Sequence, residues 1–251
     1  MSTDISIAEN LQRLRQRIAH FEQKYDRPHN CVQLLAVSKT QGPEKILAAW
    51  HCGQRDFGEN YVQEAQQKMQ ALPGRDICWH FIGPLQSNKT RAVAELFDWV
   101  HSVDRVKIAQ RLNAQRPDSL PPLKILLQVN ISGEASKSGA GLTELESMAA
   151  AIRELPRLQL RGLMAIPAPE AVFERQRRVF RTLAQARDAL VSKGFSDCTQ
   201  LSMGMSQDFE AAIAEGATLI RIGTAVFGAR PPGTILSPSM VDGDREEKPG
   251  S

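Results

Sequence analysis

The sequence predicts an α/β protein built as one closed, parallel (β/α)8 barrel of the TIM type, and three observations predict it. Eight short apolar runs alternate with stretches of helical periodicity, the pattern of parallel strands joined by helical crossovers. The clearest runs, such as Leu34 to Val37, are continuous in Val, Leu and Ile, as strands covered on both faces must be. The length of 251 residues suits eight such units, which typically take about 250 residues. An open doubly wound sheet would keep the alternation, but its G-x-G-x-x-G first turn is absent.

The first element is a helix over 3–24. Ile7, Leu11, Leu14, Ile18, Phe21 and Tyr25 recur at steps of four and three, Asp4 suits the N-cap, and Pro28 and Asn30 break the pattern. Strand one, 33–38, runs straight into Lys39, and Pro43 opens a helix that Gly53 stops. Strands at 55–58, 79–82 and 99–103 are each followed by a helix, at 61–72, 88–97 and 104–115, the last closed by Pro117, Pro121 and Pro122. Strand five, 123–131, leads into a small polar loop, 132–139, expected to be mobile. Thr143 to Glu146 then fits a capping box for a helix carrying Leu145, Met148, Ala149 and Ile152. Strand six, 158–166, precedes a long helix, 170–193, ended by Gly194. Strand seven, 199–202, precedes a helix over 207–215 capped by Ser206, and strand eight spans 218–222. No helix is expected after strand eight, where the N-terminal helix is expected to cover the flank. The barrel domain is placed at 1–231. Residues 232–251, rich in Pro, Gly, Ser and mixed charge, are expected to form a disordered tail.

With 42% hydrophobic and 24% charged residues, the chain can bury a sizeable core. A net charge of +3 without a dense basic block argues against nucleic acid. Arg175, Arg177, Arg178, Arg181 and Arg187 read as a solvated helix face. Cys31, Cys52, Cys78 and Cys198 show neither metal-ligand nor disulfide-framework spacing, so reduced, mostly buried thiols are expected and no metal. Without a signal segment or an apolar run of about 18 residues, the expectation is a cytoplasmic monomer without membrane contact.

Function is read from strand ends, because the active groups of such barrels sit at the carboxyl ends of the strands. Lys39 places an amine there, although a lysine after a core strand is ordinarily just the first solvated residue. Ser202-Met203-Gly204-Met205-Ser206 after strand seven and Ile222-Gly223-Thr224 after strand eight offer hydroxyls, glycines and helix-start N–H groups suited to a phosphate, and equally suited to any tight turn. An imine-forming lysine opposite a phosphate cradle is what pyridoxal 5'-phosphate requires. Arg221, just before the cradle, could meet the pyridine nitrogen or serve a structural charge network; facing the ring, it would leave that nitrogen unprotonated. His80 and His101 suit packing better than general-base work. Asn60 and Asn88 could each be helix caps, and Gln86, Asn88 and Lys89 could line the rim.

Leu35 to Thr40, Phe57-Gly58-Glu59-Asn60-Tyr61, Trp79 to Lys89, Gly162 to Ile166, Ser202 to Ser206 and Arg221 to Gly228 together resemble the YggS/PROSC family of pyridoxal phosphate homeostasis proteins. The resemblance runs to about Arg230. It implies a barrel like the N-terminal domain of alanine racemase (PLP fold type III), a Schiff-base lysine at Lys39, and ring or phosphate contacts from Asn60, Ser202, Met205, Ser206, Arg221, Gly223 and Thr224. It further implies pyridoxal phosphate homeostasis or carriage without substrate turnover, with transient contact to PLP-dependent apo-enzymes. A PLP-dependent amino-acid racemase and a cofactor-free Schiff-base aldolase remain as alternatives. Lys137, in the loop after strand five, is a candidate amine for attacking the lysine-bound cofactor.

Overall fold

The computed structural model describes residues 2–132 and 138–228, with the backbone alone at 2–6. Eight parallel strands close on themselves in sequence order. They are β1 (Gln33–Val37), β2 (Asp56–Glu59), β3 (Cys78–Phe81), β4 (Trp99–Val103), β5 (Leu123–Gln128), β6 (Leu158–Met164), β7 (Gln200–Ser202) and β8 (Leu219–Ile222). The helices are α1 (Ser2–Lys24), α2 (Pro43–His51), α3 (Val62–Ala71), α4 (Thr90–Leu96), α5 (Val106–Gln115), α6 (Leu145–Arg153), α7 (Phe173–Ser192), α8 (Phe209–Ala214) and α9 (Thr224–Phe227). The expected barrel is therefore present. Closure is set by β8 lying beside β1, with Leu35 opposite Arg221 and Ala36 opposite Ile222.

The outer layer follows the apolar spacing. Ile7, Leu11, Leu14, Ile18 and Phe21 are buried along α1, which lies against α2, α8 and α9 and so covers the flank after β8. Asn10 Nδ2 ties α1 to α9 by donating to the Val226 carbonyl at 3.1 Å. That helical turn was not expected, because four residues are too few to show a period.

Other departures are local. The fourth helix opens with a 3-10 turn, Ser87–Lys89, so Asn88 lies inside it and is not a cap. β5 stops at Gln128 and β6 at Met164, each short of its apolar run, and past β5 only a bridge between Val129 and Ala140 remains. At α6 the Gly141 N–H donates to Glu144 Oε2 at 2.7 Å, so Glu144 closes the turn and Thr143 is not the cap. α8 begins at Phe209 with Asp208 at its N-cap, leaving Ser206 in the preceding turn. Arg177 and Arg181 are more than a solvated face, since both bond Glu215 at the end of α8. The four thiols are free, but only Cys198 is fully buried. Asp4 as N-cap, Lys137 and most of the 132–139 loop, and the tail at 232–251 lie outside the described side chains or residues.

A buried ionic cluster fixes where β1 ends. Lys68 Nζ, on α3, donates to Glu59 Oε1 (2.7 Å), Glu64 Oε1 (2.6 Å) and the Ser38 carbonyl (2.7 Å). Ser38 Oγ donates to Glu59 Oε1 at 2.5 Å, and the Thr40 N–H donates to Glu64 Oε1 at 2.5 Å. Both neighbours of Lys39 are thereby gripped. Removing one partner of so buried a pair typically costs about 3–5 kcal/mol. Burial pushes the Glu59 carboxyl up to about 7 from 4.5, with Lys68 and Ser38 holding it back. A carboxyl with a raised folded-state pKa stabilises most below its unfolded value and loses that contribution as pH rises through the folded value. On Glu59's account, stability therefore falls between about pH 4.5 and about pH 7. Glu59→Gln is expected to flatten that arm; a melting-temperature profile that keeps the wild-type slope in this window would assign the titration elsewhere.

Candidate functional site

β7, β8, β1 and β2 are consecutive around the barrel, so the polar residues at their carboxyl ends share one sector of the mouth. Lys39 stands two residues past β1 and is half-buried. Thr40 beside it holds φ at 64°, a left-handed conformation costly for a β-branched residue and worth about 1–3 kcal/mol of strain. The Glu64 carboxylate bonded to its N–H holds it there.

Asn60 follows β2. The N-cap of α3 is Tyr61, so the capping role considered for Asn60 is not the one it plays. Its Oδ1 is buried and has no hydrogen-bond partner among the described residues. An orphaned acceptor costs about 1–3 kcal/mol and points to a missing donor, a water or a ligand. The backbone here is pinned from β3, because any Cβ on Gly83 would stand 2.2 Å from the Asn60 carbonyl oxygen. Gln86 and Asn88 are exposed on the 3-10 turn and Lys89 is half-buried there.

Arg221, on β8, is the centre of the other half. It is 4% exposed, donates from Nη1 to Ser202 Oγ at 2.7 Å and from Nη2 to the Ala165 carbonyl at 2.9 Å, and makes no salt bridge among those described. Burial pushes its pKa down to about 10, with Asp208 pulling the other way. Burial also raises Asp208, whose Oδ1 accepts the Met205 N–H at 2.6 Å.

From Ser202 a line of polar atoms crosses the barrel interior. Ser202 Oγ lies 2.9 Å from His101 Nδ1, and His101 Nε2 lies 3.0 Å from His80 Nδ1. His80 Nε2 ends the line 3.1 Å from Asp56 Oδ1 and 3.4 Å from Cys78 Sγ, near the opposite end of the barrel. Both histidines are fully buried, so neither faces solvent as a general base. Burial, then the nearby His80 and Arg221, hold His101 well below the ordinary imidazole range. Asp56, Cys78 and His80 bring three potential metal ligands within 4.8 Å, an arrangement their scattered spacing did not suggest.

The structure thus joins Ser202 directly to Arg221, and sets Gly223 against the end of β1, where a Cβ would lie 3.2 Å from the Val37 carbonyl. Gly204 holds φ at 94° and lets the turn after β7 sit on Ala212 of α8. Met205 and Ser206 are exposed in that turn and, with Pro167, Pro169 and Glu170, line a hollow of about 260 Å³. Thr224 is exposed as the first residue of α9. The sequence reading missed the Glu59–Lys68–Glu64 cluster, whose only linear trace is the Glu64 to Lys68 spacing of four. It also missed Asp208 and the line from Ser202 to Asp56, which is spread over four strands.

Residues 9–231 match the family model described as the alanine racemase N-terminal domain. The pyridoxal phosphate homeostasis protein of Escherichia coli (strain K12) is 55% identical over 227 residues, covering 89% of this chain and 97% of that protein. Its counterpart in Pseudomonas aeruginosa is 54% identical over 232 residues, covering 92% and 99%. The solved structure of PipY from Synechococcus elongatus PCC7942 with PLP bound superposes with a TM-score of 0.77 at 38% identity, covering 88% of this chain and all of that one. Alanine racemase from Corynebacterium glutamicum shares the fold at 15% identity and a TM-score of 0.68, and this chain spans 63% of it. A barrel that matches the racemase domain, at more than half identity to homeostasis proteins along almost their whole length, belongs to the pyridoxal phosphate homeostasis protein family.

Proposed function

We propose that the protein binds pyridoxal 5'-phosphate at the carboxyl mouth of the barrel, through a Schiff base to Lys39, and serves cytoplasmic PLP homeostasis or carriage without turning over a substrate. The observation that carries this reading is Arg221, a buried cation without a carboxylate in hydrogen-bond reach among the described residues, on the strand next to β1, which leads into Lys39. An arginine so placed suits a pyridine nitrogen that is to stay unprotonated, because guanidinium does not surrender its proton. Asn60 Oδ1, on the other side of β1, adds a buried acceptor that has no donor among the described residues. The turns carrying Met205 and Ser206, and Gly223 with Thr224, then hold the phosphate. Bound cofactor supplies an aldehyde and an electron sink; the chain supplies the amine, the ring partner and the cradle. In this reading residues 1–231 form the working domain, 232–251 stand outside it, and the protein acts as a monomer that meets PLP-dependent apo-enzymes only transiently. Among the described residues no helix is long and apolar enough to cross a membrane.

Turnover by two-base racemisation needs an acid/base group facing the lysine across the substrate. The chain has two tyrosines. Tyr25 donates to Glu210 Oε1 at 2.9 Å, between α1 and α8 on the outside of the barrel, and Tyr61 is 48% exposed after β2. Absence of such a group typically lowers a rate by about two to four orders of magnitude. Holo-protein incubated with L-alanine in deuterated water is expected to show no Cα exchange at ordinary enzyme rates; rapid exchange with formation of the D-enantiomer establishes the racemase instead.

Lys39→Ala is expected to abolish the visible absorbance of the lysine-bound cofactor and its capture by borohydride, with a melting temperature close to wild type. Full-occupancy capture at another lysine would move the anchor. Arg221→Gln is expected to shift that absorbance and weaken cofactor binding, since the ring loses its cationic partner; an unchanged spectrum and affinity take Arg221 away from the ring.

A further inference from the structure

The first residues of β2 and β3 stand side by side, Asp56 opposite Cys78, and the strand period of two puts His80 on the same face as Cys78. At the amino end of the barrel, away from the mouth, Asp56 Oδ1, Cys78 Sγ and His80 Nε2 therefore lie within 4.8 Å of one another, the one group of three such ligand atoms among the described residues. His80 Nε2 is 3.1 Å from Asp56 Oδ1 and 3.4 Å from Cys78 Sγ. Around a tetrahedral zinc ion with ordinary bond lengths, carboxylate, imidazole and thiolate donor atoms are about 3.3 to 3.6 Å apart. Shifts of a few tenths of an ångström bring these side chains to that geometry.

The frame around them is firm. The His80 ring stacks on Trp99, with centroids 5.5 Å apart and planes 7° from parallel, and its Nδ1 lies 3.0 Å from His101 Nε2. A ligating imidazole ordinarily has such a partner on its second nitrogen. The group is also reachable. Asp56 and Cys78 are half-buried, and Asp56 lines a hollow of about 330 Å³ between α1 and the heads of β1 and β2, together with Glu22 and Gln33. Two nearby cations are engaged elsewhere, Arg55 with Asp76 at 2.9 Å and Lys124 over the Trp99 ring at 5.2 Å.

We propose that Asp56, Cys78 and His80 form a binding site for a zinc-class divalent cation, with a water or another exchangeable donor from the hollow in the fourth position. Mixed sulfur, nitrogen and oxygen donors suit zinc and its neighbours and disfavour magnesium and calcium, which take oxygen. Carboxylate and thiolate together carry two negative charges, which balance the ion where an unbalanced charge is costly. Burial, then Asp98 and Asp56, push the Cys78 thiol up, so the ion meets a protonated sulfur: the sulfur–metal bond forms and the proton leaves to solvent. His80 binds as the neutral ring, its hydrogen on Nδ1 toward His101, with no net proton exchanged. Three protein ligands and one open position characterise sites that exchange a ligand, in contrast to closed structural ones. The site stands independently of the cofactor reading.

Full-length protein, freed of metal with a chelator, is titrated with cobalt(II) and then with zinc against a chromophoric chelator. Expected are one ion per chain and a near-ultraviolet thiolate-to-cobalt charge-transfer band that zinc abolishes. The band is expected to persist in Lys39→Ala, which separates the site from a cofactor at the mouth; a band that disappears there places the ion on the cofactor and overturns the site. Cys78→Ala is expected to remove the band and weaken zinc binding by at least about a hundredfold, beyond the loss usual for an outer partner, whereas His101→Gln weakens it by about tenfold. Replacing Cys31 and Cys52 together by alanine leaves band and affinity unchanged. Circular dichroism identifies which variants fold, and the wild-type spectrum decides without any variant. Saturating cobalt that gives no sulfur charge-transfer band, absence of stoichiometric binding, or a zinc affinity unmoved in folded Cys78→Ala overturns the proposal.

Discussion

A guanidinium buried in the barrel, with no contacting carboxylate among the described residues, is the constraint to which the carboxyl half of the interior answers. Taking a cation out of water costs several kcal/mol even after relaxation. The depressed Arg221 pKa, about 10, expresses that cost. Two neutral acceptors, Ser202 Oγ and the Ala165 carbonyl, meet two of its nitrogens. That is thin solvation for a charge, and it explains why the polar residues of β3, β4 and β7 line up behind Ser202 in place of the branched aliphatics that usually fill a barrel. A sequence aimed only at stability would put leucine or methionine at 221. Keeping a desolvated arginine next to the end of β1 is a cost that a cofactor bound as proposed above would offset.

The second charged assembly stands on the other side of β1 and does a different task. Glu59, Glu64 and Lys68 are satisfied mainly by one another and by the backbone of residues 38 and 40. Glu59 Oε2 and Glu64 Oε2 have no hydrogen-bond partner among the described residues, while the bonded oxygens fix the chain on both sides of Lys39 and hold Thr40 in its left-handed conformation. With β8, β1 and β2 in register, the two assemblies flank a single strand end. The backbone beside the lysine is thus fixed by one assembly, while the buried guanidinium of the other stands on the neighbouring strand.

Much of the architecture was legible because it depends on periodicity. The α1 face, the alternation of strand and helix and the covering of the flank after β8 follow from where apolar residues recur, and burial enforces those recurrences. Boundaries were less legible. β5 and β6 end before their apolar runs do, because beyond them only isolated backbone bonds continue, such as Val129 N–H to the Met164 carbonyl and Ala165 N–H to the Ser202 carbonyl, and α8 starts two residues late because Asp208 rather than Ser206 takes the N-cap. Within the site, Lys39, Ser202, Gly223 and Arg221 could be placed because motifs sit at strand ends. The partners that fix them could not. His80, His101 and Asp56 meet Ser202 across residues 56 to 202, and no linear spacing encodes a contact made through the centre of a barrel. Asn60 suits a cap on local grounds and a cofactor contact on the resemblance; Tyr61 takes the cap, and Asn60 Oδ1 has no partner among the described residues.

How open the mouth is bears on holding a cofactor rather than using it. Among the described residues, large apolar side chains that ordinarily seek burial stand exposed around the carboxyl rim: Tyr61 at 48%, Ile166 at 46% and Met205 at 37%. An enzyme that generates a carbanion gains by shutting water out, since desolvation strengthens every charge interaction and prevents loss of the intermediate. A protein that stores an aldehyde on a lysine gains by the reverse, because an incoming amine must reach the same carbon for the cofactor to leave. On the proposed cofactor site, buried Arg221 and the clamped end of β1 beneath the mouth, with uncovered side chains around its rim, would suit an aldehyde that is both held and exchanged. Exposed aromatic and thioether side chains at that rim also suit brief contact with another protein surface, where apolar area covered for a moment helps association without making it permanent. On the carrier reading proposed above, the open rim that would hamper a racemase is an advantage.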